Sequence, residues 1–196
     1  MIIGHVGVAF AAKARWQRIP LTALLVATFA TDILREVLGA LRLPPWQTTL
    51  YSHALPWSAI LAAVAGALAW AALRDRSAFF VVFGVVLSHV ALDLISGSKP
   101  LWNNGPQGIH LGMVEPLELM IEVAIMLAGW YQLRRVTTSR WLKQWPVPAL
   151  LVLLQVGSVV GSISQRPYAT RCLVAPLSTC TGDSWLTKRW ETTPFW

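Results

Sequence analysis

His89 and Asp93 close a run of mostly apolar residues, FFVVFGVVLSHVALDLI, at positions 79–95. Residues four apart share one face of a helix. An imidazole nitrogen and a carboxylate oxygen so placed can grip one divalent ion. The same pair can also hydrogen-bond and fix a buried helix contact, and the spacing alone does not choose. Ionisable groups inside an apolar, membrane-length run are costly and usually functional. Three more residues of this chemistry precede the pair. His5 begins the first apolar stretch, Asp32 lies in LLVATFATDIL, and His53 lies in TTLYSHALPW. A buried carboxylate such as Asp32 needs a cation or a histidine partner to stay ionised; the plainer roles are a helix cap or an ion pair with Arg35. Ser52 or His53 could cap the following helix. Together His5, Asp32, His53, His89 and Asp93 form a candidate ligand set for a divalent metal. Three imidazoles and two carboxylates suit zinc.

A second acidic set is Glu115, Glu118 and Glu122, spaced to share one helix face. Glu122 falls nearly two turns inside an apolar run. It could orient a ligating histidine, act as a general base, or serve as a structural carboxylate bonded to a neighbouring helix. The segment LISGSKPLWNNGPQGIHLG, 94–112, is rich in Gly, Pro, Asn and Ser and reads as an external loop carrying Lys99 and His110. A basic residue beside a metal suits a phosphate-bearing substrate; contact with lipid headgroups is the other use of Lys99, Arg35 and Arg42. Glu122, Glu118 and Lys99 are the candidate catalytic residues.

Membrane helices are the elements expected to hold these groups. Hydrophobic residues make up 55% of the 196 and charged residues 13%, where a soluble domain carries about 25% charge. The net charge of +7 is met by basic residues flanking spans, and no nucleic-acid partner is implied. A span needs about 20 residues. Segments 20–38, 54–73, 78–96, 112–133 and 147–163 qualify, and 3–15 is a half-span or re-entrant helix whose ends must be covered. The expectation is an all-α polytopic membrane protein with about five transmembrane helices, a membrane domain over 1–165 and a polar tail over 166–196. Lys13, Arg15, Arg18, Arg74, Arg76, Arg134, Arg135, Arg140 and Lys143 fall in three short connections on one side, which the positive-inside rule makes cytoplasmic. All four histidines then map to the outer level, and so does the tail. Its Cys172 and Cys180 could pair if that compartment is oxidising. The N-terminus lacks a basic region before its apolar part, so it does not read as a cleaved signal.

The ordered motifs resemble the inner-membrane metal-dependent hydrolase family typified by YdjM, described as LexA-regulated. Its members show an early Gly-His, a Pro-Asp-x-Asp-His stretch, a His-Arg-Gly-x-Thr-His-Ser stretch, and Ser-His-x-x-x-Asp followed by a small loop and Leu-Trp. Here Gly4-His5 matches the first and Asp32 the first aspartate of the second. His53 matches the last histidine of the third. Ser88-His89, Asp93 and Leu101-Trp102 match the fourth. Leu34 replaces the second aspartate of the second motif, whose histidine is missing, and Thr48 the first histidine of the third. The resemblance covers roughly residues 4–102. It implies a divergent hydrolase of the bacterial inner membrane, and the charge bias of the connections puts the site near the periplasmic face. A site opening at the interface would take a lipid or lipid-linked substrate, and metal-activated water would attack a phosphoester. The alternatives are a non-catalytic scaffold with a structural site and a metal or proton transporter. The dry inner halves of the spans argue against the transporter.

Overall fold

The computed structural model describes residues 3–97, 99–102, 106–108 and 115–164. Among these the chain is almost wholly helical. It runs α1 Ile3–Arg15, α2 Leu21–Thr28, α3 Ala30–Ala40, α4 Pro45–His53, α5 Leu55–Leu73 and α6 Arg76–Ser96. It then runs through strands β1 Lys99–Pro100 and β2 Pro106–Gln107 to α7 Glu115–Val136, α8 Arg140–Lys143 and α9 Pro146–Ser164. The strands form a minimal antiparallel pair, with Lys99 opposite Gln107.

Among the described residues two helices, α5 and α6, are long and apolar enough to cross a membrane. This is fewer than the five spans expected. The segment expected as one span over 20–38 is broken at Phe29 (φ −103°, ψ 11°) into helices of 8 and 11 residues. The α7 helix carries Glu115, Glu118 and Glu122 near one end and Arg134 and Arg135 at the other. In α9 the fully described apolar stretch, Pro146–Gly157, is short.

The α5–α6 hairpin follows from small residues on one face of α5. Ser58, Ala62 and Gly66 recur every fourth position and are buried, while Trp57, Ile60, Val64 and Leu68 point outward. Such a seam lets two backbones approach closely; a Cβ on Gly66 would lie 2.8 Å from the Phe79 carbonyl oxygen. Asp75 caps the start of α6 by accepting from the Ser77 amide at 2.9 Å.

At 13 residues α1 spans about 20 Å, too short to cross alone, and it is buried over most of its length. Its widest contact is with α7. There Gly7 and Gly129 meet, and a Cβ on Gly129 would stand 2.0 Å from the Gly7 carbonyl oxygen. The buried start of α1 is covered, as a buried short helix requires. The Ile3 and Gly4 amides donate to Glu122 Oε2 at 3.0 and 3.4 Å. Beyond the other end, Lys13 Nζ donates to the carbonyls of Gln17 and Ile19.

Candidate metal centre

Four helices bring the candidate ligands together. His5 comes from α1, Asp32 from α3, His53 from the last turn of α4, and His89 with Asp93 from one face of α6. Their ligand atoms form two overlapping triads, Asp32–His53–His89 and His5–His89–Asp93, each within 4.8 Å. His53 Nε2 lies 3.4 Å from Asp32 Oδ1 and 3.5 Å from Asp93 Oδ2. His89 Nε2 lies 3.5 Å from Asp32 Oδ2 and 3.5 Å from Asp93 Oδ2. Two ligands on one tetrahedral ion, bonded at about 2.0–2.1 Å, stand about 3.3–3.4 Å apart. The spacing is that of donors facing a common cation.

The hydrogen-bond network fixes which nitrogen of each imidazole carries the proton. His89 Nδ1 is 2.7 Å from the Thr28 carbonyl oxygen, which can only accept. Nδ1 therefore holds a hydrogen, and in the neutral imidazole Nε2 presents its lone pair to the carboxylates. His53 Nδ1 is 2.6 Å from Ser52 Oγ. That hydroxyl spends its own proton on the Thr48 carbonyl at 2.7 Å, so it accepts from His53 and again leaves Nε2 bare. Both Nε2 atoms are buried and have no hydrogen-bond partner among the described residues. A bare imidazole nitrogen set against carboxylate oxygens, in a buried site, is repulsive unless a proton or a metal ion lies between them. Burial pushes the His53 imidazole below its ordinary pKa, toward the neutral form that a metal needs.

Local structure explains these partners. The helix is interrupted at Phe29, and the first bond of α3 runs from Ile33 N to the Phe29 carbonyl. This leaves the Thr28 carbonyl for His89. Thr28 Oγ1 also donates to the His5 carbonyl at 3.2 Å, tying α1 to the same corner. The Ser58 hydroxyl, in the first turn of α5, donates to the Ser52 carbonyl at 3.0 Å and anchors the end of α4.

His5 takes a different position. Its Nε2 faces the His89 carbonyl at 3.4 Å and Asp93 Oδ1 at 3.7 Å, and its ring lies 4.0 Å from that of His89. It stands beside Asp93's other oxygen. Lys99, on β1, brings Nζ to 3.2 Å from Asp93 Oδ2. The Leu55 amide holds the hairpin there by donating to the Leu101 carbonyl at 2.9 Å. The Asp32 side chain is 41% exposed, against 8% for Asp93 and almost nothing for the histidines, so the centre opens on the Asp32 side.

Several sequence expectations come out differently. Glu122, a candidate catalytic base, caps α1 and accepts from Gln155 Nε2 at 3.2 Å. Neither it nor Glu118 belongs to the donor triads. Arg35 pairs with Glu36 at 3.0 Å rather than with Asp32. Ser52 and His53 do not cap α5, whose start lacks a side-chain cap. The His110, Cys172 and Cys180 positions and the Glu115 side chain lie outside the described residues. Thr28, Ser52 and Gln155 were missed. Only Ser52 left a trace, as the neighbour of a candidate ligand.

No family model, no curated protein and no solved structure matches the chain.

Proposed function

We propose that the chain is a membrane-embedded metal-dependent hydrolase acting on a phosphoester of a lipid or lipid-linked substrate. The observation that carries this reading is the pair of buried, unpartnered Nε2 atoms of His53 and His89 facing Asp32 and Asp93. The family resemblance supports it, and zinc suits a mixed imidazole and carboxylate set. When bound, the ion supplies Lewis acidity toward a phosphoryl oxygen and an acidified water. His53, His89 and Asp93 hold it from the buried side. Asp32, half open to solvent, is the donor able to loosen one oxygen and accept a proton at Oδ1. Lys99 Nζ meets the substrate's negative charge at the open edge.

The membrane setting rests on α5 and α6, and the strongly exposed Leu150, Leu153 and Leu154 on α9 support further crossings. We place the site at the periplasmic face of a bacterial inner membrane, from the charge bias of the connections. A thiol label applied from the periplasm should reach Cys172 or Cys180 after reduction; labelling only from the cytoplasm reverses the orientation.

A structural centre in a scaffold protein is the second reading, because two imidazoles and two carboxylates complete a tetrahedral zinc. The full-length protein, offered soluble and lipid-linked phosphomonoesters and phosphodiesters, separates the two. Turnover that disappears in both His53→Ala and Asp93→Asn supports the hydrolase. Bound metal with no turnover across the panel supports the scaffold.

A further inference from the structure

We infer that Lys99 weakens the centre's hold on its divalent ion and, with the ion in place, becomes the anchor for an oxyanion ligand, so that metal binding precedes anion binding. The inference rests on the metal centre proposed above and assigns the order in which it fills.

Asp93 Oδ2 lies 3.5 Å from both His53 Nε2 and His89 Nε2, and 3.2 Å from Lys99 Nζ. The oxygen that would face the ion also faces an ammonium. Two cations addressed to one carboxylate oxygen repel each other and share its attraction. The charges make the consequence definite. Ligation through Nε2 takes His53 and His89 in their neutral forms. Asp32 and Asp93 against Lys99 give the pocket one net negative charge, and a divalent ion turns this into one net positive charge. An anion is repelled before the ion binds and attracted afterwards.

Position adds to charge. The Lys99 side chain is 22% exposed and comes from the hairpin, on a centre whose Asp32 side is open. When Asp93 Oδ2 shares its charge with a divalent ion, the ammonium loses much of its partner while keeping access to solvent. A phosphate or phosphate ester supplies the oxygens and the negative charge that this arrangement lacks. A lysine that only pins the hairpin to α6 makes the opposite prediction, because its loss would loosen Asp93 and weaken the metal.

The test uses full-length protein in lipid nanodiscs. Zn2+ affinity is read by competition with a chelating indicator. Binding of inorganic phosphate is read by calorimetry, with and without Zn2+, after excess ion is removed. Lys99→Met should bind Zn2+ about tenfold more tightly than wild type, and Lys99→Arg should stay near wild type. Zinc-loaded wild type should bind phosphate, and zinc-loaded Lys99→Met should bind it about tenfold more weakly. Unchanged or weaker Zn2+ affinity in Lys99→Met overturns the inference, as does unchanged phosphate affinity. Equal phosphate binding by wild type with and without Zn2+ overturns it without any variant. A wild type that takes up no Zn2+ refutes the metal centre itself.

Discussion

Asp93 and Glu122 are both buried carboxylates on long helices; Asp93 Oδ2 meets one donor, the Lys99 ammonium at 3.2 Å, and the rest of its surroundings differ from those of Glu122. Glu122 meets hydrogen-bond donors, namely the first amides of α1 and the Gln155 side-chain amide. Asp93 Oδ2 meets two imidazole nitrogens whose hydrogens are committed to Thr28 and Ser52. A carboxylate surrounded by N–H groups has its partners and holds a helix end. One that also faces imidazole lone pairs, beyond the reach of its single ammonium partner, suits a further cation. Burial and residue type do not separate structural from ligating carboxylates here, whereas the direction of each neighbour's proton does.

Substitutions can break this contrast. The largest expected effect is at Asp93, where Asp93→Asn removes the charge shared by both imidazoles and should abolish measurable metal uptake. Glu122→Gln should leave the bound metal near wild-type stoichiometry while lowering thermal stability by about 1–3 kcal/mol, since a charged acceptor at the α1 start is lost. Metal loss in the second variant without a stability change would erase the distinction. At the α1–α7 seam, Gly129→Ala places a Cβ 2.0 Å from the Gly7 carbonyl oxygen. Overpacking of this kind costs about 1–3 kcal/mol, visible as a lowered melting temperature.

A smaller change sharpens the account of the proton positions. Ser52→Ala removes the acceptor that fixes the His53 tautomer and should weaken metal binding about tenfold, with little effect on melting of the metal-free protein. The least effect is expected at Arg35→Ala, because the Arg35–Glu36 pair is exposed and such pairs contribute about 0–1 kcal/mol. A loss of metal in this variant would mean that Arg35 serves Asp32 after all.

The site was more legible in the sequence than the span count. His5, Asp32, His53, His89 and Asp93 could be gathered because each is an ionisable group in apolar company, and the structure clusters all five. Position within the cluster was not legible. His5 stands by Asp93 Oδ1, since the rotation of α1 is set by its glycine contact with α7, which no spacing within α1 reveals. The break at Phe29 was hidden inside an unbroken apolar run, so 20–38 read as one span. That break also frees the Thr28 carbonyl that fixes His89. The role of Glu122 stayed open between base, orienting group and structural carboxylate, because a carboxylate deep in an apolar helix looks the same whether its partner is an ion or the end of another helix. Its partners lie more than a hundred residues away in the chain.

Metal content of the full-length protein, purified gently with Zn2+ supplied, tests the central claim most directly. Elemental analysis of wild type and His89→Ala should find bound metal in the first and little or none in the second. Metal-free wild type, or equal metal in both, would contradict the assignment of His53, His89, Asp32 and Asp93 as a metal centre.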